Sequence, residues 1–225
     1  MNVFQAVIFD FNGVLINDLR VHEEAYLLAA RDLDFPLTRE TIRRYISTTP
    51  LEKRKFYFGN VSDETWNRIF QLKTTYYFDL IEKTESLFPE VRDILPCLSR
   101  RYLLGLISNT PRRYFEKAFP KDLARLFQAT IFGDEMARPK PSPEPLREMI
   151  NRLNLAPDQC CYVGDSLSDV KMARAAGIKI FSVATGENSK EELARAGSDW
   201  VLNRLEDLMD KLMPRGREIE WPTSR

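Results

Sequence analysis

The sequence predicts an α/β fold, a doubly wound parallel sheet carrying an inserted α-helical domain, on three observations. Short β-branched and aromatic runs alternate with amphipathic stretches along most of the chain. Those runs are apolar at nearly every position rather than at every second one, as strands buried on both faces must be. Between the first two runs, residues 16–88 show helix-like patterns and no strand. Strand–helix–strand repetition gives right-handed crossovers, and such sheets bind ligands at the carboxyl ends of their strands. At roughly 150 residues per domain, a chain of 225 residues has room for one domain and part of another.

Taken in order, Val3-Phe4-Gln5-Ala6-Val7-Ile8-Phe9 is the first expected strand. In the helical interval Ser62 is placed as N-cap of a helix from Asp63 to about Lys83. Trp66, Ile69, Phe70, Tyr77, Leu80 and Ile81 recur along it at three- and four-residue spacing, as one apolar face would. A crossover needs only about a dozen residues, so this interval suffices for a separate lobe. Further strands are expected at 103–107, 129–132, 160–163 and 178–183, and helices at 112–119, 143–153, 167–176 and 190–196. Thr110 is expected to cap the first of these helices with Pro111 at N1, Ser142 to cap the second, and Ser166 with Asp169 to form a capping box on the third. The expected division is a core of 1–15 and 89–213, a helical cap of 16–88, and a polar tail of 214–225, loosely held.

Composition narrows the function. Lys+Arg and Asp+Glu number 33 each, and 44% of residues are hydrophobic. A core can therefore be filled, and the neutral balance argues against a general nucleic-acid or membrane-surface binder. No apolar run approaches the roughly 20 residues that cross a bilayer, and Met1-Asn2-Val3-Phe4 has no basic leader. Cys97, Cys160 and Cys161 supply neither a disulfide framework nor metal-ligand spacing. The expectation is a soluble, reduced, cytoplasmic protein without nucleic-acid or membrane partners.

Four short segments carry the chemistry. Asp10 ends the first strand and is followed by Phe11-Asn12-Gly13-Val14-Leu15; alone, it reads equally well as a turn. Ser108-Asn109-Thr110-Pro111 offers a hydroxyl and backbone N–H groups that can hold an anion, or merely a helix start. In Arg138-Pro139-Lys140-Pro141-Ser142-Pro143 the prolines project Lys140 from a stiff loop; a lone lysine there would be solvated. In Gly164-Asp165-Ser166-Leu167-Ser168-Asp169 the capping box explains Asp169, whereas Asp165 has no helix to serve. All four segments fall at carboxyl ends of expected strands. Converging carboxylates suit Mg²⁺, a lysine and hydroxyl beside it suit a phosphoryl group, and Asp10 can be a carboxylate nucleophile.

With those residues in place the sequence resembles the haloacid dehalogenase superfamily. Asp10-Phe11-Asn12-Gly13-Val14 is similar to its first motif, Ser108 to its second, Lys140 to its third, and Gly164-Asp165-Ser166 with Asp169 to its fourth. Met172-Ala173-Arg174-Ala175-Ala176-Gly177 also resembles the family's stretch just after the fourth motif. The insertion resembles the C1 cap of the phosphoglycolate phosphatase and β-phosphoglucomutase group. The resemblance implies a Mg²⁺-dependent phosphatase of a small phosphorylated metabolite. It implies that Asp10 attacks phosphorus, that Ser108, with Asn109 beside it, holds the substrate, and that Lys140 offsets charge. Asp165 and Asp169 would hold Mg²⁺ with Asp10 and the backbone carbonyl of residue 12, Asp169 alternatively orienting Lys140. Monomer and homodimer are equally compatible with the sequence.

One position departs from the pattern. Relatives carry Asp two residues after the nucleophile, to protonate the leaving oxygen and later activate water; here it is Asn12. A carboxamide cannot perform general acid–base work worth roughly 10²–10⁴-fold. Three readings stand: an introduced substitution that traps substrate, an enzyme whose leaving group needs little protonation (an acyl phosphate or phosphoanhydride), or a domain that binds without turnover. The dehalogenase branch also departs here but works without Mg²⁺, which the Asp165/Asp169 pair does not favour. Among smaller signals, His22 reads as a surface or hinge residue. The basic run Arg39, Arg43, Arg44, Lys53, Arg54, Lys55 reads as a solvated helix face that could also steer an anion. Trp66, Phe70, Tyr76, Tyr77 and Phe78 read as cap core or an interface, and Cys160 and Cys161 as strand filler.

Overall fold

The computed structural model describes residues 4–46, 50–186 and 188–213. Six parallel strands form one sheet in the order β3-β2-β1-β4-β5-β6, comprising β1 (Ala6–Phe9), β2 (Leu103–Ser108), β3 (Phe127–Phe132), β4 (Cys160–Gly164), β5 (Lys179–Val183) and β6 (Trp200–Leu202). The continuous apolar runs have the predicted cause. Ala6 and Ile8 of β1 enter one core with Ile107, Leu146 and Tyr162, while Val7 and Phe9 enter the opposite core with Leu104, Leu106 and Val163. Each strand thus feeds two helix-covered layers. β6, a three-residue edge, carries too short a pattern to be expected as a strand.

Strand order reverses direction at β1. The chain winds from β1 through β2 to β3 on one side and returns to β4 on the other, with Ile8 in register with both Gly105 and Tyr162. The crevice at such a switch point is where doubly wound sheets bind ligands, and Asp10 is the first residue beyond β1.

Between β1 and β2 lie helices α1 (Leu19–Asp32), α2 (Arg39–Tyr45), α3 (Pro50–Phe58), α4 (Asp63–Ile81) and α5 (Val91–Ser99). Ser62 caps α4 by accepting the Thr65 N–H at 3.1 Å, as predicted. Its inner stripe is Ile69, Lys73, Thr74, Tyr77 and Ile81; Trp66, Phe70 and Leu80 are only half-buried, and the buried lysine was not foreseen. Tyr26, Ile42, Tyr57, Phe58 and Ile69 form one small core, and Val21, Ala25, Tyr77 and Ile81 form another that reaches Tyr114. The chain leaves and rejoins the sheet region as two adjacent strands of backbone: Ile16 bridges Leu87, and Asn17 N–H donates to the Ser86 carbonyl at 2.7 Å. The tail from Pro214 lies outside the described residues.

The second half follows the expected rhythm, with α6 (Arg112–Ala118), α7 (Lys121–Ala124), α8 (Glu144–Leu153), α9 (Leu167–Ala176), α10 (Lys190–Ala196) and α11 (Asp207–Leu212). Two expected caps differ. Pro111, not Thr110, occupies the N-cap of α6, because the Thr110 hydroxyl donates to Asn12 Oδ1 at 2.7 Å and Asp134 accepts the Arg112 N–H instead. Pro143 holds the N-cap of α8, with Ser142 Oγ accepting the Glu144 N–H at 3.4 Å from one residue earlier. The Ser166/Asp169 capping box on α9 is present. Cys160 and Cys161 are buried in β4 with free thiols. No helix among the described residues is long and apolar enough to cross a membrane.

Candidate active site

Asp10, Ser108, Lys140, Asp165 and Asp169 are all buried and gather at the carboxyl edge of β1, β2 and β4. Asp10 Oδ1 accepts the Phe11 N–H at 2.7 Å and lies 2.7 Å from Lys140 Nζ. The same ammonium lies 2.9 Å from Asp169 Oδ1, and the Tyr162 hydroxyl donates to that oxygen at 3.0 Å. Asp169 Oδ2 accepts from both Ser166 N–H and Ser166 Oγ. Asp169 is therefore fixed on every side and orients Lys140 between itself and Asp10.

Lys140 is held from its backbone as well. Asn109 Oδ1 accepts the Lys140 N–H at 3.0 Å, and Asn109 Nδ2 donates to the Lys140 carbonyl at 3.2 Å. Asn109, grouped with Ser108 as substrate-binding on sequence grounds, has both ends of its amide on this loop, so its visible work is to brace Lys140. Lys140 also lies farther from a strand end than expected, reached through a 3₁₀ turn at Gly133–Glu135.

Electrostatics separate the two carboxylates that share the lysine. Burial pushes Asp10 up to about 7, with the Asp169 charge adding and Lys140 opposing. Burial also works against ionised Asp169, yet Lys140 and the Ser166 and Tyr162 donors bring it below the ordinary value. Burial works against the Lys140 charge too, but Asp10 and Asp169 together hold that ammonium well above its usual range.

Carboxylate oxygens of Asp10, Asp165 and Asp169 lie within 4.8 Å of one another. Two glycines make room for this cluster. A Cβ on Gly13 (φ +78°) would stand 2.3 Å from Asp165 Oδ2, and one on Gly186 would stand 1.6 Å from it. A buried, all-oxygen donor set fits a hard divalent cation such as Mg²⁺.

Asn12 joins this cluster to the helical insertion. Its Oδ1 accepts from Thr110 at 2.7 Å and from Ser108 at 3.5 Å, and its Nδ2 donates to Asp18 Oδ2 at 2.9 Å. Asp18 also accepts from Tyr77 at 2.7 Å and lies 3.2 Å from His22 Nε2. Burial would raise Asp18, but His22, Tyr77 and Asn12 hold it down to about 2. Burial and the Lys73 charge lower His22, with Asp18 opposing. A neutral His22 still donates through Nε2–H, so ionised Asp18 keeps three donors. His22 is thus a member of the site's border rather than a surface residue, stacked on Tyr77 at 4.5 Å.

Sequence reading missed Asp18, Lys73 and Tyr162. The i, i+4 spacing of Asp18 and His22 was a usable signal; Tyr162 was read only as part of the strand expected at 160–163. The basic run is largely neutralised. Arg39 and Arg43 pair with buried Glu23, Arg44 with Glu40, and Arg54 with Asp63.

Residues 7–183 match the haloacid dehalogenase-like hydrolase family. The chain belongs to this family. A phosphoglycolate phosphatase of Salmonella choleraesuis is 32% identical over 177 residues, covering 77% of this chain and 68% of that protein. A Thermotoga maritima structure named as a candidate β-phosphoglucomutase is 28% identical, with a TM-score of 0.74 over 93% of this chain and 98% of that one. CbbY of Rhodobacter sphaeroides, solved with phosphate, shares the fold at 23% identity and a TM-score of 0.79, covering 91% of this chain and 96% of that one. Within the haloacid dehalogenase-like hydrolases, this chain is a phosphatase of the phosphoglycolate phosphatase-like kind.

Proposed function

We propose that the chain hydrolyses a small phosphate monoester through an aspartyl-phosphate on Asp10, with helices α1–α4 as a cap over the site. The observation that carries this reading is the Asp10–Lys140–Asp169 arrangement at the switch point. One carboxylate is buried on the far side of the lysine, and the other stands at the end of β1 with Oδ2 making no hydrogen bond among the described residues. Asp10 attacks phosphorus as the ester P–O bond breaks. Lys140 and Ser108 neutralise and hold the phosphoryl oxygens, and water then cleaves the aspartyl-phosphate to release phosphate. Asp10, Asp165 and Asp169, with the backbone carbonyl of Asn12, would hold Mg²⁺, which when bound supplies charge neutralisation.

Asn12 sets the limits of this chemistry. Its amide satisfies Thr110 on one side and ionised Asp18 on the other, so an amide is the group this pocket suits. Lacking a proton to give, it directs the enzyme towards leaving groups that depart as weak bases. The same residue favours a second reading, a protein that binds Mg²⁺ and phosphate with little or no turnover. The unpaired thiols Cys97, Cys160 and Cys161 agree with work in a reducing cytoplasm.

A panel of alkyl, aryl and acyl phosphates with Mg²⁺ separates the readings. The hydrolase reading expects turnover fastest on acyl and aryl esters and abolished in Asp10→Ala. Binding of phosphate with every ester left intact would establish the second reading instead.

A further inference from the structure

Three segments far apart in sequence meet at one carboxylate oxygen of the acidic cluster. Asp165 follows β4, Gly13 lies in the turn after β1, and Gly186 lies in the loop after β5. Both glycine backbones come up against Asp165 Oδ2, so closely that a Cβ on either would overlap it. An approach this close between irregular segments needs a fastening, because glycine has more backbone freedom to lose than any other residue.

Thr185 supplies that fastening. Its hydroxyl donates to the Gly13 carbonyl at 2.6 Å, across 172 residues of chain. The Gly13 N–H donates to the Ile16 carbonyl at 2.8 Å, so Gly13 is held through both of its backbone polar groups at φ +78°. The peptide plane that carries the Gly13 N–H also carries the Asn12 carbonyl, and fixing one directs the other. The loop is secured elsewhere without this hydroxyl. The Ala184 N–H donates to the Leu202 carbonyl at 3.0 Å, and Asn188 Oδ1 accepts the N–H of Leu167, the first residue of α9, at 3.1 Å. Valine has the same branched shape as threonine and would leave those two ties in place, so the hydroxyl's distinct work is the bond to Gly13.

We infer that Thr185 is a positioning residue for the metal site, whose hydroxyl fixes the spacing between Asp165 and the Asn12 carbonyl and thereby selects Mg²⁺ over Ca²⁺. The reason lies in the two ions. Mg²⁺ demands oxygens at about 2.1 Å in near-ideal octahedral geometry, whereas Ca²⁺ accepts about 2.3–2.6 Å and irregular arrangements. Donors on tied segments suit the smaller ion, and the same donors on an untied loop suit the larger one as well. The inference rests on the Mg²⁺ assignment in the proposed function. The alternative is a tie that only secures the loop.

Titration calorimetry of the full chain with magnesium chloride and, separately, calcium chloride decides between them without any turnover. Thr185→Val should bind Mg²⁺ roughly tenfold or more weakly than wild type, the usual effect of losing an outer-shell partner, while its Ca²⁺ affinity changes by less than about threefold. Thr185→Ser keeps the hydroxyl and should stay within about threefold of wild type for both ions. Melting temperature checks the fold, and Thr185→Ala carries the same comparison if the valine variant does not fold. A folded variant without the hydroxyl that keeps its Mg²⁺ affinity, or loses both ions equally, overturns the inference and leaves the Mg²⁺ assignment standing. A serine variant as weak as the valine one also overturns it. Wild type that does not bind Mg²⁺ removes the assignment and the inference together.

Discussion

At the scale of single residues, burying the carboxylate of Asp10, the proposed nucleophile, costs stability. Its folded pKa, about 7, lies above the ordinary 3.8, so the native state holds a proton that the unfolded chain has already released. Stability therefore falls as pH rises from about 4 to 7, and the loss is complete above 7. Without Mg²⁺, Asp10→Asn should gain on wild type by roughly 2 kcal/mol between pH 5 and pH 8 in urea unfolding; added Mg²⁺ should reduce that gain. Asp18 runs the other way. Held at about 2, it contributes stability that is present above pH 3.8 and lost as pH falls towards 2, on the order of 2 kcal/mol, and Asp18→Asn should lack that acid limb. The two are coupled through Asn12, 2.9 Å from Asp18. Asn12→Asp alone would set two carboxylates against each other, whereas Asn12→Asp with Asp18→Asn restores a carboxylate–amide pair. The double variant should exceed the single one by about 10² in kcat on alkyl phosphates. Equal rates would show that Asp18 does not govern residue 12. Asp10, Asp165 and Asp169 were legible in the sequence because each sits in a short segment at a strand end, and Lys140, on the longer loop past the Gly133–Glu135 turn, because prolines flank it. Asp18 and Lys73 were not, since their meaning depends on contacts across dozens of residues that periodicity does not encode.

At the scale of elements, loops rather than helices decide the precision of the site. Gly186 lies in the loop after β5, where a Cβ would stand 1.6 Å from Asp165 Oδ2. Gly186→Ala should weaken Mg²⁺ binding by about tenfold or more in a calorimetric titration, with secondary structure unchanged by circular dichroism. Asn109 braces the Lys140 loop through two backbone hydrogen bonds. Asn109→Ala should lower kcat by about tenfold with a smaller change in KM, because it loosens a positioned charge rather than removing it. The regular elements were easily read: α9 and α10 occupy the expected residues 167–176 and 190–196, α9 behind the expected Ser166/Asp169 capping box. The α6 cap was misread because the Thr110 hydroxyl has a better acceptor in Asn12, a partner 98 residues away along the chain.

At the scale of the whole molecule, the sheet order places both ends of the chemistry at one crevice. Asp10 arrives on the central strand, Ser108 on its neighbour to one side, and Asp165 with Asp169 from the other. The helical insertion returns to the same crevice through Asp18, His22 and Tyr77, and its two connections run side by side at Ile16 and Leu87. The proposed mechanism has a kinetic consequence: Asp10 would form the aspartyl-phosphate, Asn12 cannot activate the water that cleaves it, and the intermediate should accumulate. Rapid-quench kinetics on an aryl phosphate with Mg²⁺ should give a burst of released phenol near one equivalent per chain. Borohydride quenching should convert residue 10, and no other aspartate, to homoserine as read by mass spectrometry. Steady turnover without a burst that survives in Asp10→Ala would contradict the account.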